Sequence, residues 1–97
     1  MLYALICTDK EGGMDLRAET RPAHLEHLKA FSEQIRFAGP FTTEDGAAMN
    51  GSLLIVEADS LGAARAIADA DPYAKAGLFS SVDVRPWKWT VGNPDAG

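Results

Sequence analysis

Leu2-Tyr3-Ala4-Leu5-Ile6-Cys7-Thr8 is the stretch that decides the fold. In an extended chain Leu2, Ala4 and Ile6 share one face, and Tyr3, Leu5 and Cys7 share the other. A strand that is apolar on both faces belongs in the middle of a sheet. A second stretch of this kind runs from Ser52 to Ala58, Ser-Leu-Leu-Ile-Val-Glu-Ala. Two weaker extended segments flank it. Phe37 to Thr42 contains Pro40, which suits an edge strand because proline has no N–H to donate. In Ser80 to Val91, Val82, Val84 and Pro86 alternate with Asp83, Arg85, Trp87 and Trp89.

The segments between the strands carry helical signals. Asp9 to Glu19 is charged and holds Gly12-Gly13, so it reads as a surface loop. Helix one then opens with Thr20 as N-cap and Pro22 in the first turn, where a missing N–H costs nothing. Its apolar stripe is Leu28, Phe31 and Ile35, bordered by Leu25 and Ala38. Counting back four from Leu28 places His24 on the inward face, while His27 falls on the outer face with Glu26, Lys29, Glu33 and Arg36. Thr43 to Gly51 reads as a polar hairpin loop. Asp59-Ser60 caps helix two, Leu61 to Ala70, whose stripe is Leu61, Ala64, Ile67 and Ala68. Asp71 is the next position on that stripe, and Pro72 ends the helix. Tyr73 to Phe79 reads as a connecting turn, and residues 92–97 as a polar tail to a single domain spanning 1–97.

The order strand, helix, strand, strand, helix, strand closes most simply as an α+β, ferredoxin-like βαββαβ fold: an antiparallel sheet with two helices on one face. That topology brings the start of helix one and the end of helix two to the same end of the molecule, so His24 and Asp71 are expected to meet. Two strands are apolar on both faces while the helices cover only one. A homodimer packed through the sheet face is therefore expected.

Composition narrows the classes of function. A chain of 97 residues, 46% hydrophobic, makes one domain with a feasible core. A net charge of −5 argues against a nucleic-acid partner. The single cysteine, Cys7, excludes an intrachain disulfide and fits a cytoplasmic location. No apolar run approaches a membrane span, so no membrane partner is expected. His24 and His27 stand one turn apart without a clustered third ligand, and no Gly-Lys-Ser/Thr follows Gly12-Gly13. Neither a metal nor a nucleotide cofactor is expected.

A carboxylate that holds one nitrogen of an imidazole fixes its tautomer and leaves the other nitrogen to take or give a proton. His24 and Asp71 would form such a pair. The same residues also suit a hydrogen-bonded structural histidine and a helix-ending aspartate. Arg21 reads either as a clamp for an anionic substrate or as a solvated cation. Cys7 reads as core, and Trp87 and Trp89 as packing residues.

Several short motifs recur in one order along nearly the whole chain: Met1-Leu2-Tyr3, Arg21-Pro22-Ala23-His24-Leu25, Ala38-Gly39-Pro40, Gly51-Ser52, Ala68-Asp69-Ala70-Asp71-Pro72-Tyr73, Ala76-Gly77-Leu78 and Val84-Arg85-Pro86-Trp87. With them the chain resembles the YciI-like (YCII-related) proteins. The resemblance implies a dimeric α+β barrel and a suspected His/Asp active site, whose positions fall on His24 and Asp71. Some members of that family act as dehydrochlorinases on chlorinated hydroxyquinols. The expectation is a cofactor-independent lyase or isomerase for a small anionic or phenolic substrate. His24 would be acid or base, Asp71 its orienting partner, Arg21 and Ser52 substrate contacts, and Tyr73 a pocket wall. The alternatives are a non-catalytic metabolite-binding or regulatory dimer module using the same cleft, and a structural dimerisation unit.

Overall fold

The computed structural model describes residues 1–94. The elements are β1 (Leu2–Asp9), α1 (Met14–Ala30), β2 (Ile35–Thr42), β3 (Met49–Glu57), α2 (Leu61–Ala70), α3 (Pro72–Lys75) and β4 (Phe79–Trp87). The four strands form one antiparallel sheet in the order β2-β3-β1-β4. This is the expected ferredoxin-like α+β arrangement, with the two doubly apolar strands at its centre. β2 pairs only with β3, so Pro40 does lie on an edge.

The core sits between the sheet and α2. Tyr3, Leu5 and Cys7 from β1 and Leu54 and Val56 from β3 point to one face and meet Ala64, Ile67 and Ala68. The small side chains of α2 let it lie close to the strands. Ser60 caps it as expected, its hydroxyl accepting from the Ala63 N–H at 3.0 Å.

α1 departs from expectation. It begins at Met14, and Pro22 lies inside it. An interior proline costs about 3 kcal/mol relative to alanine, yet it bends a helix more readily than it ends one when the flanks favour helix. Met14 to Glu19 are mostly good helix formers, and Asp15 supports the first turn through the helix dipole. Thr20 is therefore not a cap, and of Asp9 to Glu19 only residues 10–13 form a loop between β1 and α1. Gly12 takes a left-handed φ of 73°, and a Cβ on Gly13 would stand 2.8 Å from the Leu78 side chain. The glycine pair thus turns the chain tightly off β1 into α1.

Smaller corrections follow from pairing. β3 starts at Met49, because Met49 to Gly51 pair with β2. Pro72 to Lys75 form a helical turn instead of an open connection. β4 ends at Trp87, opposite Leu2, the first residue of β1. Beyond it Trp89 packs 4.9 Å from the Phe37 ring, whose other neighbour is Trp87 at 6.0 Å. Alternation places Phe37 and Trp87 on the sheet face away from the helices, with Ile6, Leu53 and Ile55. Of the polar tail expected over 92–97, residues 95–97 lie outside the described part of the chain.

His27, expected outside, is buried at 8% exposure against Phe31. Starting the helix earlier does not move it. The inward arc is wider than the Leu28–Phe31 stripe, because α1 also faces the α2–α3 segment, with Ile67 and Asp71 beside His27. Its Nε2 is buried without a hydrogen-bond partner among the described residues. Burial lowers its pKa below the ordinary 6.5, against a smaller opposing pull from Asp71. The unfolded chain then binds the proton more readily than the folded one, so stability is full above about pH 6.5 and falls as pH drops below it. In urea titrations across that range, His27→Leu is expected to flatten the acid-side loss of stability, which persists in the wild type.

Candidate active site

Asp71 is the joint between α2 and α3. It has extended backbone angles, as a residue before proline should, and its Oδ1 accepts the Tyr73 N–H at 3.0 Å. The same carboxylate faces His24, with Nδ1 at 2.9 Å from Oδ1 and 3.1 Å from Oδ2. Both residues are buried. A carboxylate accepts, so Nδ1 donates, and Nε2 is the nitrogen left for the adjoining cleft.

His24 does not reach Asp71 from a helix end. It lies more than two turns into α1. At about 1.5 Å per residue, the ten residues of α2 are much shorter than the seventeen of α1, so the end of α2 comes level with the middle of α1. The two residues meet as expected, through a different register.

A second buried cluster stands two turns upstream. Arg17 donates to both oxygens of Asp9, Nε at 2.7 Å and Nη2 at 2.9 Å, and Nη2 also donates to Ser52 Oγ at 2.9 Å. Burial alone would lower the Arg17 pKa. The hydrogen bonds and charge of Asp9 overcome it and hold it above the ordinary value. Tyr73 joins the two clusters. Its ring stacks on His24 at 4.0 Å between centroids, and the Arg17 guanidinium carbon lies 4.5 Å from its centre. Arg17 and His24 are about 10.5 Å apart along the helix, so the ring fits between them. Burial raises the Tyr73 phenol, with Arg17 opposing, so the hydroxyl stays protonated at neutral pH.

Between α1 and the β2–β3 half of the sheet is a cleft of about 190 Å³. Arg17, Arg21, His24, Ser52 and Tyr73 line it, with Leu28, Pro40 and Met49 among the apolar walls. Among the described residues no carboxylate lines it and Arg21 makes no ion pair. A neighbouring depression of about 450 Å³ lies between the 9–14 segment and the β2–β3 hairpin, beside Cys7. It is larger, but among the described residues no histidine lines it. Burial, and then Asp71, push the Cys7 thiol up to about 12, which keeps it unreactive.

All five residues singled out in the sequence, His24, Asp71, Arg21, Ser52 and Tyr73, gather here. Asp9 and Arg17 were missed. Arg17, Arg21, His24 and Leu28 fall on one helical stripe, a signal visible only if the helix starts before Arg17.

Fold and site together define an α+β protein of ferredoxin-like topology with a buried His–Asp pair at a cationic cleft. The YCII-related domain matches residues 1–88, and the chain belongs to that family. It is 41% identical over 95 residues to protein YciI of Escherichia coli O6:H1, covering 91% of this chain and 97% of the relative. It is 33% identical, with the same coverage, to an uncharacterised protein of Haemophilus influenzae. Among solved structures it is similar to the 5-chloro-2-hydroxyhydroquinone dehydrochlorinase of Burkholderia phenoliruptrix, in complex with 2,5-dihydroxybenzoquinone. The TM-score is 0.82 at 35% identity, covering 91% of this chain and 94% of that one. An Agrobacterium tumefaciens protein at 19% identity and TM-score 0.56, covering 97% of this chain and 98% of that one, shares the fold.

Breaking a buried ion pair from one side leaves an uncompensated charge, a loss of about 3–5 kcal/mol. Arg17→Met is expected to lose that much by urea denaturation. The double variant Arg17→Met/Asp9→Leu is expected to recover part of it.

Proposed function

We propose that this protein is a cofactor-independent lyase acting on a small hydroxylated aromatic ring that carries a halide leaving group. The observation that carries the reading is the His24 Nδ1–Asp71 bond of 2.9 Å, which leaves Nε2 to a cleft lined by cations. The size fits, since a cavity of about 150 Å³ accepts benzene. The likeness to a dehydrochlorinase at 35% identity supports the choice of substrate class.

In this reading His24 Nε2 accepts the proton of a ring hydroxyl while Asp71 holds the imidazole in place. The imidazolium returns that proton to the ring carbon bearing the halogen. Halide then leaves with the C–X electron pair as a second hydroxyl gives its proton to the regenerated His24 imidazole, and the ring becomes a quinone. The net loss is HX, and no electron carrier is needed. Arg21 attracts the anionic oxygen, Tyr73 walls the ring, and Leu28 and Pro40 exclude water from it.

The open sheet face supports a further part of the proposal. Phe41 is 40% exposed on that face, beside the half-buried Ile6 and Leu53. We propose that two copies pack through it. Sedimentation at micromolar concentration is expected to give a dimer; monomer alone would contradict it.

Incubated with 5-chloro-2-hydroxyhydroquinone, the wild type is expected to release chloride. His24→Ala should lose about a hundredfold or more in rate. Full chloride release by His24→Ala would remove the histidine from the mechanism. Ligand binding without any turnover would instead favour a metabolite-binding module.

A further inference from the structure

We propose that Ser52 is the hydrogen-bond donor to a substrate oxyanion, set in that role by Arg17. Ser52 is 3% exposed on β3, and alternation puts its side chain on the helix face with Leu54 and Val56. Its register neighbours are Cys7 on β1 and Pro40 on β2, so a strand flanks it on each side.

A hydroxyl has one hydrogen to give and two lone pairs. The Arg17 Nη2 donation at 2.9 Å occupies one lone pair, because a guanidinium only donates. Arg17 cannot turn away, since Asp9 holds its Nε and Nη2. Ser52 Oγ makes no other hydrogen bond among the described residues, so its hydrogen is unspent. Buried hydroxyls rarely leave a donor unused, and Ser52 lines the cleft. The cationic donor on its oxygen also polarises the O–H and strengthens it. Arg21, one turn along α1 from Arg17, adds positive charge to the same cleft.

The ligand this arrangement selects is a phenol or enol bound as its oxyanion. A neutral hydroxyl would gain less from a donor with a cation behind it. Ser52 then serves the oxygen on which charge builds, while His24 handles the proton. The inference rests on the cleft being the substrate site, but not on His24 being the base.

The test uses 4-nitrophenol, whose phenol and phenolate absorb differently. Bound to the wild type, it is expected to ionise at a lower pH than when free. Ser52→Ala should weaken phenolate binding on the order of tenfold. Ser52→Cys, nearly isosteric with a weak S–H donor, should do the same, and Ser52→Thr should keep most of the effect. Equal phenolate preference in S52A, S52C and wild type would overturn the assignment, as would a wild type that shows no preference. Chloride release separates the two claims. His24→Ala should lose turnover while keeping the Ser52-dependent preference. A wild type without turnover but with that preference would remove the base and leave the donor standing.

Discussion

Asp71 is 2% exposed, and the arrangement of the helices answers to that single carboxylate. A buried carboxylate without partners is expensive. This one is satisfied by the Tyr73 N–H from its own chain segment and by His24 from across the fold. Pro72 forces the chain out of helix at Asp71 and so aims the carboxylate at α1. Tyr73, two residues on, then lays its ring on the imidazole it has helped to position. One short sequence, Asp71-Pro72-Tyr73, therefore ends one helix, begins the next and builds one wall of the cleft.

The upstream half of α1 serves a second, separate need. Asp9 leaves the end of β1 at 4% side-chain exposure, and Arg17 pairs with it there. For Arg17 to reach, the helix must begin at Met14 and carry Pro22 in its interior. In the proposed function this divides the labour along one helix face: His24 and Asp71 move a proton at one end of the cleft, and Arg17 with Ser52 receives negative charge at the other. Tyr73 separates the imidazole from the guanidinium and touches both. Such separation matters chemically, because direct contact would set two potential cations against each other.

Much of this was legible in the residues. Leu2–Thr8 and Ser52–Ala58 were apolar on both faces, and only central strands need that. Asp71 extended the stripe of α2 by one step and stood before proline, so its place at the helix end followed from local rules. The start of α1 did not follow, because Pro22 obeys a rule for first turns that also permits an interior proline when packing compensates. That one misplaced boundary hid Arg17, whose partner Asp9 lies outside the helix. His27 was hidden by a different feature: α1 faces the α2–α3 segment as well as the sheet, which widens its inward arc beyond one apolar stripe. The path of Trp89 was illegible for a third reason. Aromatic alternation continues past Trp87, but the ladder with β1 ends at the Leu2–Trp87 pair.

The central claim is that Asp71 holds His24 in the tautomer that leaves Nε2 free for the cleft. Nitrogen-15 NMR of the His24 ring, at a pH where it is neutral, tests this most directly. The account predicts a proton on Nδ1 and a bare Nε2, with that preference lost in Asp71→Ala. A proton on Nε2 in the wild-type protein would contradict it.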